Sequence, residues 1–490
     1  MEQYKKEILE EIERKQDLVS NLADRVWEYA ELSLKEEKSA ALFAELLEKE
    51  GFDVVVGNNQ IPTAFIASYG SGRPVIGLLA EYDALSGLSQ QRGLDRHCEI
   101  SEGGSGHGCG HNLLGAGAFA AALGLKKYLE THPGKGTVRL FGCPGEEAAA
   151  SKAFMARDGV WKELDAALTW HPEDRNEVAV GSTNSCLQNL YRFYGRASHA
   201  SGSPELGRSA LDAVELMNIG VQFLREHMDD KARIHYAITN AGGVSPNVVQ
   251  ARADVLYYVR ANHVSEALEL QKRVDKIAEG AALMTETEYT KTFIDGLADT
   301  ISNPVLEEVL YRCFEEIGVP RYTEEELEFT DRIAETVPGS GLGKTGSEKT
   351  HIPGLGSTVD SAYRDKAAEL IKAAGHGMND FLLPLFKGDV FRAGSTDVGD
   401  VSWLCPTAQI HVAAWPNGTP GHSWQNVSCA GSTVGKKAAL TAGRVLAAAA
   451  AELFENPELL SQARSVFEKR TGELGGYQCP VPDGAVIRAL

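Results

Sequence analysis

Apolar positions along this chain follow two periods. Across residues 17–51, Leu42, Phe43, Leu46 and Leu47 recur at helical spacing and Gly51 stops the run, which predicts amphipathic helices. Val54–Val56 and Ala64–Ser68 predict short strands. Three later runs are apolar almost throughout: Pro74–Ala80 (PVIGLLA), Thr137–Cys143 (TVRLFGC) and Ala166–Trp170 (AALTW). Strands of that kind are buried on both faces, as in a parallel sheet. Each run finishes in acidic or imidazole side chains: Glu81-Tyr82-Asp83, Glu146-Glu147 after a Pro-Gly turn, and His171. A glycine-rich loop, Gly103–Gly110, leads into a helix that Asn112 is placed to cap and that runs to about Glu130. In open α/β sheets the ligand crevice lies beyond the carboxyl ends of the strands, so this order gathers polar groups in one cleft.

The rhythm changes after about residue 185. Cys186–Tyr194 alternates, Ser209–Met228 is an amphipathic helix, and Ala232–Thr239 and Ala253–Val259 read as strands. Val264–Met284 is a second helix and Glu286–Phe293 a last strand. That order, β-α-β-β-α-β, is a ferredoxin-like unit inserted into a larger domain. The reading is therefore α/β, with a mixed-sheet catalytic domain over 1–186 and 301–490 and an inserted domain over 187–300. Ala408–Ala414 adds a buried strand to the larger domain. Residues 321–360 are acidic, then rich in Gly, Ser, Thr and Lys, which predicts a long surface loop with one helix. The string GSGLGKT there imitates a phosphate-binding loop. However, the first glycine of that motif falls at Pro338 and no strand precedes it, so it is read as loop.

Composition narrows the function. The 490 residues carry 48 basic and 68 acidic side chains, a formal charge of -20, so no basic excess exists to displace counterions from nucleic acid or an anionic membrane. Hydrophobic residues at 43% and charged ones at 24% are ordinary for a folded soluble protein. No run of 18 apolar residues occurs, and the start, MEQYKKEILEEIERKQ, lacks the apolar stretch of a secretory signal. Eight scattered cysteines without a CxxC pair do not make a disulfide scaffold. A reducing cytoplasm is the expected location.

The strongest chemical signal is His107-Gly108-Cys109-Gly110-His111-Asn112, where a thiol and an imidazole flank one glycine before a helix. A thiolate and an imidazole are good ligands for zinc-group ions, and a helix N-terminus favours the thiolate. On the hexapeptide alone, ligation and a structural reading (a buried thiol beside a helix-capping histidine) stand level, because two donors do not make a site. Glu146-Glu147 is a weak pair in isolation, yet adjacent carboxylates at a strand end point apart, so one can bind metal while the other serves as a general base. His171 and His422 alone would more often be structural. Together Cys109, His111, Glu147, His171 and His422 exceed one tetrahedral site and suit two ions sharing a water. Asp83 is the candidate carboxylate to orient an imidazole.

These residues carry a resemblance. AEYDALSGLSQ (80–90), GHGCGHNLLG (106–115), GCPGEE (142–147), ALTWHPE (167–173), GRSALDAV (207–214), HYAITNAGG (235–243), SPNVVQA (245–251), AEGAALMTET (278–287) and GSTDVGDVSW (394–403) resemble the aminoacylase/carboxypeptidase-type binuclear metallohydrolases, in the branch with a cysteine ligand. The resemblance implies two divalent ions, zinc or manganese with cobalt or nickel as alternatives, held by Cys109, His111, Glu147, His171 and His422, with Cys109 bridging the pair. It implies attack of a metal-bound water on a linear amide with Glu146 as general base. The inserted unit would be a lid and dimerisation domain, making a homodimer or a heteromer with a related subunit. His199 would polarise the scissile carbonyl, and Asn247 and Arg260 would contact the substrate. The implied substrate is an N-acyl amino acid, p-aminobenzoyl-glutamate first, which would place the chain in folate breakdown. Another N-acyl amino acid or a dipeptide is the alternative, and a non-catalytic companion subunit a third reading. Two departures stand out: Asn112 replaces the usual Asp, and Glu81-Tyr82-Asp83 stands where related peptidases carry His-x-Asp, which implies a weaker hold on one ion.

Overall fold

The computed structural model of the chain describes residues 1–58, 60–337, 359, 361–388, 390–392 and 394–489. The GSGLGKT string lies outside them. Two compact units emerge. One comprises Met1–Ser182, Ile301–Arg392 and Val401–Tyr477; the other comprises Thr183–Thr300, Ala393–Asp400 and Gln478–Leu490.

The first unit is built on a mixed seven-stranded sheet. Across it the strands run Asp53–Asn58, Ile61–Ser71, Gly136–Gly142, Val75–Ala80, Ala166–Glu173, Thr407–Ala413 and Glu177–Ala179. Val75–Ala80 pairs in parallel with both Gly136–Gly142 and Ala166–Glu173, and Ala166–Glu173 pairs in parallel with Thr407–Ala413. The outer pairings are antiparallel. The continuous apolar runs are these central strands, and every residue of Val75–Ala80 is buried. The register carries Ala166–Glu173 past His171, which lies opposite His411 and is thus inside the strand rather than at its end.

Two helices rich in Ala and Gly, His111–Thr131 and Thr433–Glu455, pack together through small residues. A Cβ on Gly443 would come within 2.7 Å of the Ala120 Cβ, so only glycine permits that approach. Trp170, fully buried, lies against Gly117 and donates its indole N–H to the Leu114 carbonyl at 2.9 Å. This contact ties the strand that carries His171 to the helix that opens with His111. Asn112 does not cap that helix. Gly110, at φ +75°, occupies the capping position, and the buried Asn112 amide instead donates to the carbonyls of Ala23 and Ala430 at 3.3 and 3.1 Å. Among the described residues no helix is long and apolar enough to cross a membrane.

The second unit follows the order β-α-β-β-α-β: Ser185–Tyr194, Ala210–Leu224, Arg233–Asn240, Arg252–Ala261, Val264–Thr285 and Glu288–Leu297. Its antiparallel sheet runs Glu288–Leu297, Ser185–Tyr194, Arg252–Ala261, Arg233–Asn240, so the first strand sits between the last and the third. Burial alternates with period two. Ala253, Val255, Tyr257 and Val259 face the helices within one core with Tyr191 and Phe193, while Tyr258 and Arg260 occupy the other face, half-buried.

Candidate metal centre

Five chain segments of the first unit deliver the polar groups, strand Ala166–Glu173 bringing His171. Glu81 and Asp83 follow strand Val75–Ala80 directly. Cys109 and His111 straddle the left-handed Gly110 at the head of helix His111–Thr131. Gly145, at φ +67°, turns the chain into the short helix Glu146–Ala149, and its N–H donates to the Glu36 carboxylate at 2.8 Å. His422 precedes helix Trp424–Ala430 in a left-handed conformation, φ +56°, which L side chains seldom adopt.

The donor atoms converge. Cys109 Sγ lies 3.3 Å from His171 Nε2. His171 donates its Nδ1–H to the Pro172 carbonyl at 2.7 Å, which leaves Nε2 as a lone pair. Asp83 Oδ1 accepts from His111 Nδ1 at 2.7 Å, turning His111 Nε2 toward the centre. The other Asp83 oxygen accepts from Ser33 Oγ at 2.8 Å and from the Glu147 N–H at 3.0 Å. Glu147 Oε1 lies 3.5 Å from His422 Nε2. Three groups of donors fall within 4.8 Å of one another: Cys109, His111 and His171; Cys109, Glu147 and His422; and Glu81, His111 and Glu146. The first two share the thiol. The first and third share His111.

Two observations test the fit of metal ions to these residues. His111 Nε2 and Glu147 Oε1 are buried and, although Glu81 Oε2 and His422 Nε2 stand 3.2 and 3.5 Å away, make no well-formed hydrogen bond among the described residues. Buried polar atoms are almost always paired, so such orphans call for a missing partner. The donor chemistry agrees: sulfur, imidazole nitrogen and carboxylate oxygen together suit zinc-group and neighbouring divalent ions. Electrostatics is divided: against burial, Cys109, Asp83 and Glu81 push His111 up, so an ion there must displace a proton from its Nε2. Burial holds His171 down to about 4, a neutral imidazole ready to ligate. Burial, with Glu147 alongside, pushes the Cys109 thiol up, and burial also raises Glu147. A cation opposes both shifts.

Two buried groups beside the centre are absent from the candidates that the sequence singles out. Lys152, with a fully buried side chain, places its Nζ 2.6 Å from Glu81 Oε1, while Glu81 Oε2 lies 3.2 Å from His111 Nε2. Burial would raise Glu81, but Lys152 and His111 outweigh it and hold the carboxyl below its usual range. The available signal is a lysine inside an apolar helix, Ser151–Arg157 (SKAFMAR). Glu36 is the other group. It accepts from Leu34 N, Gly145 N and Thr63 Oγ1, and burial followed by the nearby Asp83 pushes it up to about 8.

The remaining candidates lie in the second unit. His199 is exposed and its Nδ1 accepts from Gly202 N at 3.0 Å, and exposed Asn247 accepts from Ala200 N at 2.9 Å through its carbonyl. Arg260 donates to Ser395 Oγ at 2.7 Å.

Comparison with known proteins follows the same line. The chain is 43% identical over 471 residues to one of the subunits of p-aminobenzoyl-glutamate hydrolase from Escherichia coli (strain K12), covering 96% of each chain. It is 26% identical over 468 residues to the Xaa-Arg dipeptidase of Homo sapiens, covering 92% of this chain and 89% of that one. The crystal structure of an aminobenzoyl-glutamate utilization protein from Klebsiella pneumoniae matches the fold with a TM-score of 0.56 at 16% identity, over 89% of this chain and 97% of that one. The model of peptidase family M20/M25/M40 matches residues 77–475. With a donor set suited to metal and a match over most of its length, the chain belongs to peptidase family M20/M25/M40 and is a metal-dependent amidohydrolase.

Proposed function

We propose that the protein cleaves N-acyl amino acids at the amide, with p-aminobenzoyl-glutamate, split to p-aminobenzoate and glutamate, as the first substrate. The observation that carries this is the pair of donor groups sharing Cys109, with Glu146 beside them. In this reading Cys109, His111 and His171 hold one divalent ion and Cys109, Glu147 and His422 the other, zinc or manganese by donor type, with cobalt and nickel as alternatives. Such ions lower the pKa of a water from 15.7 toward about 7 and polarise a carbonyl oxygen. The chain's own part is proton traffic and orientation. Glu146 takes the water proton and returns it to the departing amine nitrogen, while Asp83 keeps His111 in one tautomer and rotamer. His199 polarises the scissile carbonyl, and Asn247 and Arg260 hold the amino-acid half of the substrate.

A second reading, a dipeptidase, has support in the full-length match to the human Xaa-Arg dipeptidase. The Escherichia coli relative is named as one subunit of its hydrolase, which favours assembly with a related chain, through the second unit. A homodimer is the alternative. A purely structural companion fits poorly with a complete donor set and an intact Glu146.

The test is a substrate panel. Metal-reconstituted protein is assayed on p-aminobenzoyl-glutamate, other N-acyl amino acids and dipeptides, alone and with a related partner. Glu146→Gln should keep its metal and lose about 10²–10⁴-fold in turnover. A Glu146→Gln protein that turns over at the parental rate refutes the base assignment, and activity on dipeptides alone selects the second reading.

A further inference from the structure

Arg260 is held in an unusual way for a cation on a sheet. It stands two residues from Tyr258 on strand Arg252–Ala261, so both side chains lie on the same face. Its guanidinium carbon sits 4.5 Å from the centre of the Tyr258 ring. Its Nη1 donates to Ser395 Oγ at 2.7 Å, and Ser395 belongs to the stretch Ala393–Asp400, which returns to this unit from far along the chain. Tyr258 is fixed in turn: Cys186, whose backbone lies opposite Arg260 in the neighbouring strand, donates its thiol to the Tyr258 hydroxyl at 3.1 Å. The partners of Arg260 are thus a hydroxyl and an aromatic face, both neutral. Among the described residues Arg260 makes no ion pair and its Nε and Nη2 make no hydrogen bond. The carboxylate of Asp295, buried nearby, does not reach it, and Asp295 Oδ1 has no partner among the described residues.

Here one edge and one face of the guanidinium are immobilised by uncharged groups, and the Nε/Nη2 edge, which matches a carboxylate in two parallel hydrogen bonds, is left open. We propose that Tyr258 and Ser395 are positioning residues that pre-set Arg260 to take the α-carboxylate of the substrate in bidentate fashion. The inference rests on the reading of Arg260 as a substrate contact. It adds that the preference for an acyl amino acid over its α-carboxamide is fixed by two side chains that never touch the substrate. Pre-set geometry lowers the entropic cost of binding, so the gain belongs in KM rather than in the chemical step.

The experiment compares p-aminobenzoyl-glutamate with the analogue whose α-carboxylate is a carboxamide. KM and kcat are measured separately for the wild type and for Ser395→Ala, Ser395→Thr, Tyr258→Leu, Tyr258→Phe and Arg260→Ala, with thermal melting as a check on folding. Ser395→Ala and Tyr258→Leu should each raise KM for the carboxylate substrate about tenfold, the scale of one lost hydrogen bond, with kcat changed by less than about twofold. Ser395→Thr, which restores the hydroxyl, and Tyr258→Phe, which keeps the ring, should stay within about threefold of wild type. KM for the carboxamide should not respond. An equal rise for both compounds would mean a merely structural role and overturns the proposal. So does an unchanged KM in Ser395→Ala and Tyr258→Leu while Arg260→Ala is impaired, a result that leaves Arg260 as a substrate contact. If the wild type and Arg260→Ala treat the two compounds alike, the Arg260 assignment itself fails while amide hydrolysis by the metal centre stands.

Discussion

Replacing Asp83 by Asn looks conservative and should not be. The carboxylate serves three donors at once: one oxygen takes the His111 Nδ1–H at 2.7 Å, the other takes Ser33 Oγ at 2.8 Å and the Glu147 N–H at 3.0 Å. The side chains of Asp83 and His111 have no access to solvent. An amide offers a single acceptor. If its oxygen faces His111, its NH₂ group meets the Glu147 backbone N–H, a contact between two donors that neither can relieve. Ser33 can turn its hydroxyl around, but the peptide cannot. If the amide flips, the NH₂ group faces His111 and forces the imidazole to carry its proton on Nε2, the atom needed for metal. Either way a ligand is disturbed, His111 by tautomer or Glu147 by position. Groups that orient metal ligands in this way are worth about 10–100-fold in metal affinity, or about 1.4–2.7 kcal/mol. Asp83→Asn should therefore fall within about threefold of Asp83→Ala, both at least about tenfold weaker than wild type. Titration against a chromophoric chelator gives the affinity, and metal content after gel filtration gives the occupancy. An Asp83→Asn protein that binds both ions like the wild type refutes the reasoning, because charge and hydrogen-bond polarity would then not matter at this position.

Other outcomes follow from the same geometry. Cys109 belongs to two donor groups and His422 to one, so Cys109→Ser should lose both ions where His422→Ala loses one; metal-to-protein ratios decide it, and equal losses contradict the shared sulfur. Lys152→Met strands a buried Glu81 carboxylate and should cost about 3–5 kcal/mol, read as a fall in melting temperature, whereas Glu81→Leu combined with Lys152→Met should recover most of it. Burial pushes Asp295 up to about 7 from its ordinary 3.8. Its folded pKa lies above the unfolded one, so the protonated form stabilises the fold: the contribution is complete below about 3.8 and is lost as pH rises through about 7. Asp295→Asn should remove that loss, which reaches up to about 4 kcal/mol, and flatten the melting profile between pH 4 and 8; parallel profiles for the two proteins would contradict it.

The sequence makes the sheet legible where burial is two-sided, since short runs such as PVIGLLA, opened by Pro and closed by a polar turn, read as central strands. The β-α-β-β-α-β order of the second unit is equally open to reading, because alternation with period two and period 3.6 are distinct signals. What periodicity cannot show is pairing. The apolar run alone puts His171 at a strand end, yet Thr407–Ala413 pairs alongside and prolongs the strand to Glu173. Local preference makes Asn112 a helix cap, but its partners are Ala23 and Ala430, distant in the chain and invisible to a local rule. Lys152 suffers the same fate. A lysine among apolar residues announces that something must neutralise it, but not that Glu81 does.

The acidic excess of the whole chain has a concentrated counterpart at the centre. Glu81, Asp83, Glu146, Glu147 and the thiolate form of Cys109 bring five negative charges into a small volume, and Lys152 returns one positive charge. Histidines that ligate through a lone pair contribute none. Two divalent cations bring the sum to zero, whereas a single one leaves a surplus of two negative charges. Surplus charge away from water costs several kcal/mol per ion, a penalty that neither hydrogen bonding by Ser33 nor the Glu147 N–H can remove. The count also explains the company Glu81 keeps. Its carboxylate is not grouped with Cys109 and His171 and so adds charge without joining either sulfur-linked position, and the buried ammonium of Lys152 cancels it locally. With Cys109 and Glu147 ionised, which burial resists and cations favour, the remaining four negative charges match the four positive charges of two ions.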